Sequence, residues 1–122
     1  MARKQAATLP PESEGSLQQK VCQLARACGW RFVHFRPGRT AKGWRTAFTG
    51  DAGFPDMVLV RRAQDRFGFW KTRLLFVELK RDGASVPCEQ LEWLVMLNEV
   101  GDGVACYTWR PRDWEKIVEV LS

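Results

Sequence analysis

Residues 74–80, LLFVELK, run from four apolar residues into Glu-Leu-Lys, and residues 53–60, GFPDMVLV, place Pro-Asp directly before another apolar run. Short apolar runs of this kind are typical of buried β-strands, in which successive side chains point to opposite faces. Glu78 and Lys80 are therefore expected on one face, with the intervening leucine turned into the core. If the two strands are neighbours, Asp56 reaches that face too. Two carboxylates and a lysine then converge, which is enough to bind a hard cation and activate a water.

The size and charge of the chain favour one domain with an anionic partner. It has 122 residues, 45% of them hydrophobic, a formal net charge of +5 and a pI near 9.3. These values indicate a folded globule and favour a partner such as nucleic acid. The basic side chains form two groups: Arg31, Arg36, Arg39, Lys42 and Arg45, with His34, and Arg61, Arg62, Arg66, Lys71 and Arg73. The first group precedes Asp56 and the second lies between Asp56 and Glu78. Both suit phosphate binding, although an ordinary solvated surface is the alternative.

Several classes of protein are disfavoured by what the sequence lacks. Its four cysteines show no CxxC spacing and there is one histidine, so structural zinc is not expected. No apolar stretch follows the N-terminus as in a signal peptide, and no run approaches the ~18 apolar residues of a membrane span. We therefore expect a cytoplasmic protein with reduced thiols and no membrane partner.

The hydrophobic periodicity predicts the element order αβββαβα. Residues 1–12 are interpreted as a flexible tail and residues 13–122 as one domain. The first predicted helix starts at a Ser13 cap, the second at a Ser85 cap with Pro87 in its first turn, and the third at Pro111. The predicted strands are 30–35, 56–61, 73–80 and 104–109. A long loop is predicted at 37–54 and a hairpin connection at 62–70. A strand–helix–strand crossover between the last two strands implies parallel pairing, so the sheet is expected to be mixed.

The second predicted helix is apolar nearly all round, as the run Leu91–Leu97 shows. Such a helix is covered on more than one side. In so small a chain the cover comes either from the last helix or from a second subunit, and the sequence leaves both open.

The motif as a whole resembles the VRR-NUC family within the PD-(D/E)XK nuclease superfamily, over about residues 13–121. The resemblance is carried by Glu14…Gly53-Phe54-Pro55-Asp56…Phe76-Val77-Glu78-Leu79-Lys80…Gln90…Trp93. Glu-x-Lys alone is a weak signal, but its combination with Gly-x-Pro-Asp and the downstream glutamine is strong. The resemblance implies a restriction-endonuclease-like α/β fold, a mixed central sheet flanked by helices. Small stand-alone members resemble phage and bacterial proteins, and other members are nuclease domains of DNA-repair proteins.

The resemblance also implies a metal site. Asp56, Glu78 and the backbone carbonyl of Leu79 are the expected ligands of Mg²⁺, for which Mn²⁺ can substitute. Glu14 resembles the first-helix glutamate that reaches the metal or its waters. Glu12 competes for that role, and a helix-capping role for the acid is equally compatible with the sequence.

The remaining expected site residues act on water and phosphate. Lys80 orients the attacking water and offsets charge on the phosphate, and Gln90 helps position either of them. A solvated glutamine and an exposed strand-end lysine are the structural alternatives. The expected DNA-binding residues are Arg36, Arg39, Lys42, Arg45 and His34, with ordinary surface charge, and for the histidine a structural role, as alternatives.

The function implied is a metal-dependent endodeoxyribonuclease that acts as a homodimer on branched DNA such as Holliday junctions, in a bacterial or phage-infected cell. Paired symmetric sites can nick two strands. One alternative is a non-catalytic DNA-binding module on a nuclease scaffold, although such proteins usually lose the carboxylates or the lysine. A second alternative is a flap or nicking subunit recruited by a helicase or replisome partner.

Overall fold

A computed structural model of the chain describes residues 11–35, 38–41, 43–45 and 47–122, and gives only the backbone at 38–40, 44 and 45. The predicted tail therefore lies, over residues 1–10, outside the described part. The helices are α1 (Glu14–Ala27), α2 (Cys88–Asn98) and α3 (Trp114–Leu121), with a 3-10 turn at Pro111–Asp113. The strands are β1 (Arg31–His34), β2 (Gly38–Thr40), β3 (Gly43–Arg45), β4 (Met57–Gln64), β5 (Trp70–Leu79) and β6 (Val104–Trp109).

Four of these strands form one sheet in the order β1-β4-β5-β6. β1 and β4 are antiparallel, as are β4 and β5, whereas β5 and β6 are parallel. The parallel pair is joined through α2, as the strand–helix–strand pattern predicted. The mixed α/β architecture with a mixed sheet and three helices is confirmed.

The core lies between one face of this sheet and the helices α1 and α3. It is made of Leu17, Val21, Ala25, Trp30, Met57, Leu59, Leu75, Val77, Leu79, Trp109, Ile117 and Leu121. Alternate residues of β4 and β5 enter this cluster, so the intervening residues of both strands face the other side, where α2 packs beside β6. α1 starts as predicted, because the Ser13 Oγ accepts a hydrogen bond of 3.0 Å from the Ser16 N–H.

The β4–β5 hairpin is longer than the sequence predicted. Pairing continues to Gln64 and resumes at Trp70, so the connection is 65–69 and not 62–70. Charged side chains in both strands obscured the pattern, because these ends of the strands project beyond the core into solvent. The predicted loop at 37–54 likewise contains the ribbon β2–β3, whose three-residue strands are too short to show a period of two.

The predicted Ser85 cap of the second helix is wrong. The N-cap position is Pro87, with φ −59° and ψ 153° and no side-chain cap bond, and α2 begins at Cys88. A proline disfavours helical backbone in the residue before it, so the helix cannot include residue 86.

None of the helices in the described part of the chain has the length and apolar character that a membrane span needs.

Candidate active site

The register of β4 and β5 brings the Pro-Asp and Glu-Leu-Lys motifs together. Met57 pairs with Val77, so Asp56, directly before β4, lies across from Glu78. The Asp56 Oδ2 accepts a 2.8 Å hydrogen bond from the Leu79 N–H. Because the N–H and C=O of one strand residue point to the same side, the Leu79 carbonyl is also directed toward Asp56. The Asp56 carboxylate is thus held at the end of β5 by a residue 23 positions away.

Glu78 is the buried charged residue of the described chain, with 2% of its surface exposed. Lys80 Nζ lies 3.6 Å from Glu78 Oε1, so the two side chains share a face as their spacing predicted. Glu78 Oε2 is buried and has no hydrogen-bond partner among the described residues. Burial, and then the negative charge of Asp56, raise the pKa of Glu78 to about 8 against the opposing effect of Lys80.

Glu14 approaches this group from the first turn of α1. Its pKa is raised by partial burial and by the charge of Asp56, and the positive charges of Lys80 and Arg81 oppose that rise. Glu12, the competing candidate, is instead 3.3 Å from Lys20. The structure therefore places Glu14, and not Glu12, near Asp56. The effect of the Arg81 charge on Glu14 was not predicted from the sequence, although Arg81 directly follows Lys80.

The loop that precedes Asp56 packs closely against α2. A Cβ on Gly53, which has φ +94°, would lie 2.8 Å from the backbone carbonyl carbon of Glu89. The Trp93 indole donates a 2.9 Å hydrogen bond to the Ala52 carbonyl, and its ring lies edge-on to Phe54 at 5.1 Å. These contacts fix the position of α2 relative to Asp56. They explain why a glycine, a phenylalanine and a tryptophan accompany the Pro-Asp motif, which the sequence did not show.

Gln90 lies in the first turn of α2, next to the residue that packs on Gly53. Its Oε1 is buried and has no hydrogen-bond partner among the described residues. A buried amide oxygen in this state costs free energy unless a further group binds it. That is compatible with the predicted contact to water or phosphate, which stays a prediction.

The predicted DNA-binding residues are only partly visible. Arg36 and Lys42 lie outside the described residues, and the side chains of Arg39 and Arg45 are not described. His34 pairs with Met57, so its side chain lies on the sheet face opposite to that of Glu78. Sequence reasoning could not assign this face, because it depends on the register of β1.

The oxygen ligands fit a hard divalent cation. Asp56, Glu78 and the Leu79 carbonyl are the oxygen donors that Mg²⁺ prefers, and Mg²⁺ needs only one or two carboxylates because it keeps several waters. The unpartnered Glu78 Oε2 is a buried acceptor that such an ion would satisfy. Among the described residues, no group of three or more His, Cys, Asp and Glu side chains is arranged to hold a metal.

The comparison with protein families identifies the VRR-NUC domain over residues 4–108. This range includes all the site residues, from Glu14 to Gln90, and ends before α3. No curated protein and no solved structure matches the chain significantly.

Proposed function

The chain belongs to the VRR-NUC family, which implies a nuclease-type function, and we propose that it is a metal-dependent DNA endonuclease with selectivity for branched DNA. The observation that carries the proposal is the convergence of Asp56, Glu78 and Lys80 around the buried, unpartnered Glu78 Oε2. A buried carboxylate beside a second carboxylate favours a cation. The restriction-endonuclease-like superfamily assignment is part of the same proposal.

Each residue has a defined task in this proposal. A bound Mg²⁺ or Mn²⁺ supplies Lewis acidity, which lowers the pKa of a ligated water. Asp56, whose carboxylate is oriented by the Leu79 N–H, and Glu78 would hold the ion. Lys80 holds the attacking water and offsets the charge that develops on the phosphate. The Gln90 amide, in the first turn of α2, positions the phosphate or the water.

The test is cleavage of labelled junction, flap, nicked and linear DNA with Mg²⁺, Mn²⁺ or EDTA. We expect metal-dependent cutting that is fastest on the junction, and loss of cutting in Asp56→Ala and Lys80→Ala. Asp51→Ala is the matched control, because Asp51 is an exposed acid of the same loop. If Asp56→Ala and Lys80→Ala cut as fast as the parent and keep its circular dichroism spectrum, the site assignment is wrong.

We further propose that α2 mediates homodimerisation. Leu91, Val95, Met96 and Val100 are 48–69% exposed, although they lie on one helix and its C-terminal turn. α3 packs against α1, and the four α2 side chains are exposed in the single chain, which supports cover by a second copy. A second copy can cover it because a two-fold axis pairs the same apolar surface with itself, and two sites would then act on the two strands of a junction.

The oligomeric state tests this proposal directly. We expect the parent to have the mass of a dimer in solution, and the double variant Leu91→Glu, Val95→Glu to have the mass of a monomer. Lys116→Glu on α3 is the charge control. A monomeric parent at the concentration used for cleavage contradicts dimerisation but leaves the endonuclease proposal intact.

A further inference from the structure

Exposed aromatic rings and basic side chains cluster at the end of the β4–β5 hairpin that is remote from the site. We call residues 62–71 the hairpin tip. Phe67, Phe69 and Trp70 are 71%, 68% and 59% exposed. The Arg62 guanidinium lies 5.1 Å from the Trp70 ring centroid, and the Arg66 guanidinium 5.0 Å from that of Phe67. The three exposed rings lie within four residues of the chain, and exposed apolar side chains concentrated in this way indicate an interaction surface.

The backbone of the hairpin tip is held in one conformation. Asp65 Oδ1 accepts hydrogen bonds from the N–H groups of Phe67 and Phe69, at 2.8 and 3.0 Å. The Asp65 N–H donates to the Phe69 carbonyl at 2.8 Å, and the Gly68 N–H donates to the Asp65 carbonyl at 3.0 Å. Gly68 has φ +84°, which the turn requires. The rings are therefore presented by an ordered turn, which reduces the entropy lost on binding.

The charge of this region selects a polyanion. The hairpin tip contains three basic side chains, Arg62, Arg66 and Lys71, and one acid, a balance of +2 in a chain whose total is +5. The acid is Asp65, whose carboxylate is already engaged with the turn and lies 3.9 Å from Lys71. Rings combined with arginines are the elements that bind unpaired nucleotides, because bases stack on the rings and cations contact the phosphates.

Trp70 in the hairpin tip and Glu78 in the candidate active site share one face of the sheet. Trp70 and Glu78 are both in β5 and are separated by an even number of residues, so their side chains project to the same side. Eight residues of extended strand span about 26 Å, which is roughly eight base-pair steps of DNA. One DNA molecule bound at the site can therefore reach the hairpin tip.

We propose that the hairpin tip is a second DNA-contact site, which stacks on unpaired bases about 26 Å from the cleaved phosphate. The proposed function provides the class of partner on which this inference rests. The tip contains rings and cations but no Leu, Ile, Val or Met side chain, which favours base stacking over a protein contact. Its position on the face of the site favours nucleic acid over a lipid surface.

The test uses 2-aminopurine at an unpaired position of a branched DNA, with the full-length protein in EDTA so that no strand is cut. The variant Phe67→Leu, Trp70→Leu keeps apolar bulk but removes two rings. We expect it to lose the quenching of 2-aminopurine fluorescence and to bind the branched DNA about tenfold more weakly. The matched variant Phe67→Tyr, Trp70→Phe keeps both rings, so it should retain both properties. Thermal melting of each variant checks that the fold is unchanged.

Three outcomes overturn the proposal. The first is quenching and affinity in the leucine variant equal to those of the parent. The second is an equal loss in the leucine and aromatic variants, since both then fail for a reason other than stacking. The third is tight binding of the parent to phosphatidylserine vesicles without quenching of the DNA probe, which would assign the tip to a membrane. Ring-dependent quenching in a parent that cuts no DNA with Mg²⁺ or Mn²⁺ supports the tip site and contradicts the endonuclease instead.

Discussion

The two ends of the paired strands β4 and β5 share the same antiparallel backbone pairing, but charged side chains are buried at one end and exposed at the other. At one end Glu78 is 2% exposed and its charge is opposed by Asp56 and balanced by Lys80. At the other end Arg62 and Arg66 are exposed and lie over exposed rings. Electrostatic interactions are strong where water is excluded and weak where it is not. The buried end is therefore suited to chemistry, and the solvated end is suited to reversible contact with a large anion.

The largest effect is expected from Lys80→Arg. This variant tests whether cleavage needs a positive charge at one position or only a positive charge. Lys80 is a compact charge 3.6 Å from Glu78 Oε1, with 16% of its side chain exposed. A planar guanidinium is larger and cannot occupy the same position. We expect the cleavage rate to fall by about 100-fold or more, measured under single-turnover conditions with Mg²⁺. Lys116→Arg on α3 is the matched control, and parental activity in Lys80→Arg would contradict a positioned role.

The adjacent residues Arg61 and Arg62 provide the second test, because they face opposite sides of β4. Arg61 donates hydrogen bonds to the carbonyls of Cys28, Leu121 and Ser122 at 3.1, 2.9 and 3.2 Å. We expect Arg61→Ala to lower the free energy of unfolding by roughly 2–3 kcal/mol.

Arg62→Ala should change the free energy of unfolding by less than about 0.5 kcal/mol and should weaken DNA binding instead. Urea denaturation and DNA titration of both variants measure the two effects. Equal stability losses in the two variants would contradict the assignment of a structural role to Arg61 and a DNA-binding role to Arg62.

The pH dependence of stability tests the buried end without any substrate. The pKa of Glu78 is raised from 4.5 to about 8 by burial and by Asp56. A group whose pKa is raised on folding contributes its stability fully below pH 4.5, and that stability is lost as the pH rises through about 8. Glu78→Gln removes the ionisation, so it should be more stable than the parent by about 2 kcal/mol at pH 9 in EDTA.

At pH 4 the stability advantage of Glu78→Gln should disappear, since the parent carboxyl is then neutral. Urea unfolding at the two pH values gives the comparison. Added Mg²⁺ at pH 9 should stabilise the parent more than the variant. A constant difference between the proteins at both pH values would contradict the raised pKa.

The smallest effect is expected at Asp65, and it concerns the solvated end. Asp65→Asn keeps an oxygen that accepts from the Phe67 and Phe69 N–H groups and removes one negative charge. We expect its affinity for branched DNA to rise by about twofold at low salt. Asp65→Ala loses both hydrogen bonds, so its affinity should fall although the same charge is removed. Equal changes in the two variants would show that charge alone, and not the ordered turn, determines binding.

The part of the site that lies within a single strand was predictable from the sequence. The alternation of Glu78, Leu79 and Lys80 predicted two polar side chains on one face and a leucine in the core, and both features are present. The extent of β4 and β5 was not predictable, because charged residues in the protruding ends mask the period of two. The start of α2 was misassigned because serine is a common cap, whereas the conformation at Pro87 decides it.

Sequence alone determined the order of the helices and of the four strands of the main sheet, the mixed character of that sheet, the Ser13 cap and the pairing of Glu78 with Lys80, because each was predicted from patterns within single segments of the chain. Tertiary structure alone decided that the Leu79 N–H holds Asp56, that Gly53 packs on α2 and that Arg61 is inward while Arg62 is outward. These features join segments that are far apart in sequence. The pattern of one segment does not specify its partner, so only packing places the two carboxylates together and leaves the hairpin tip exposed.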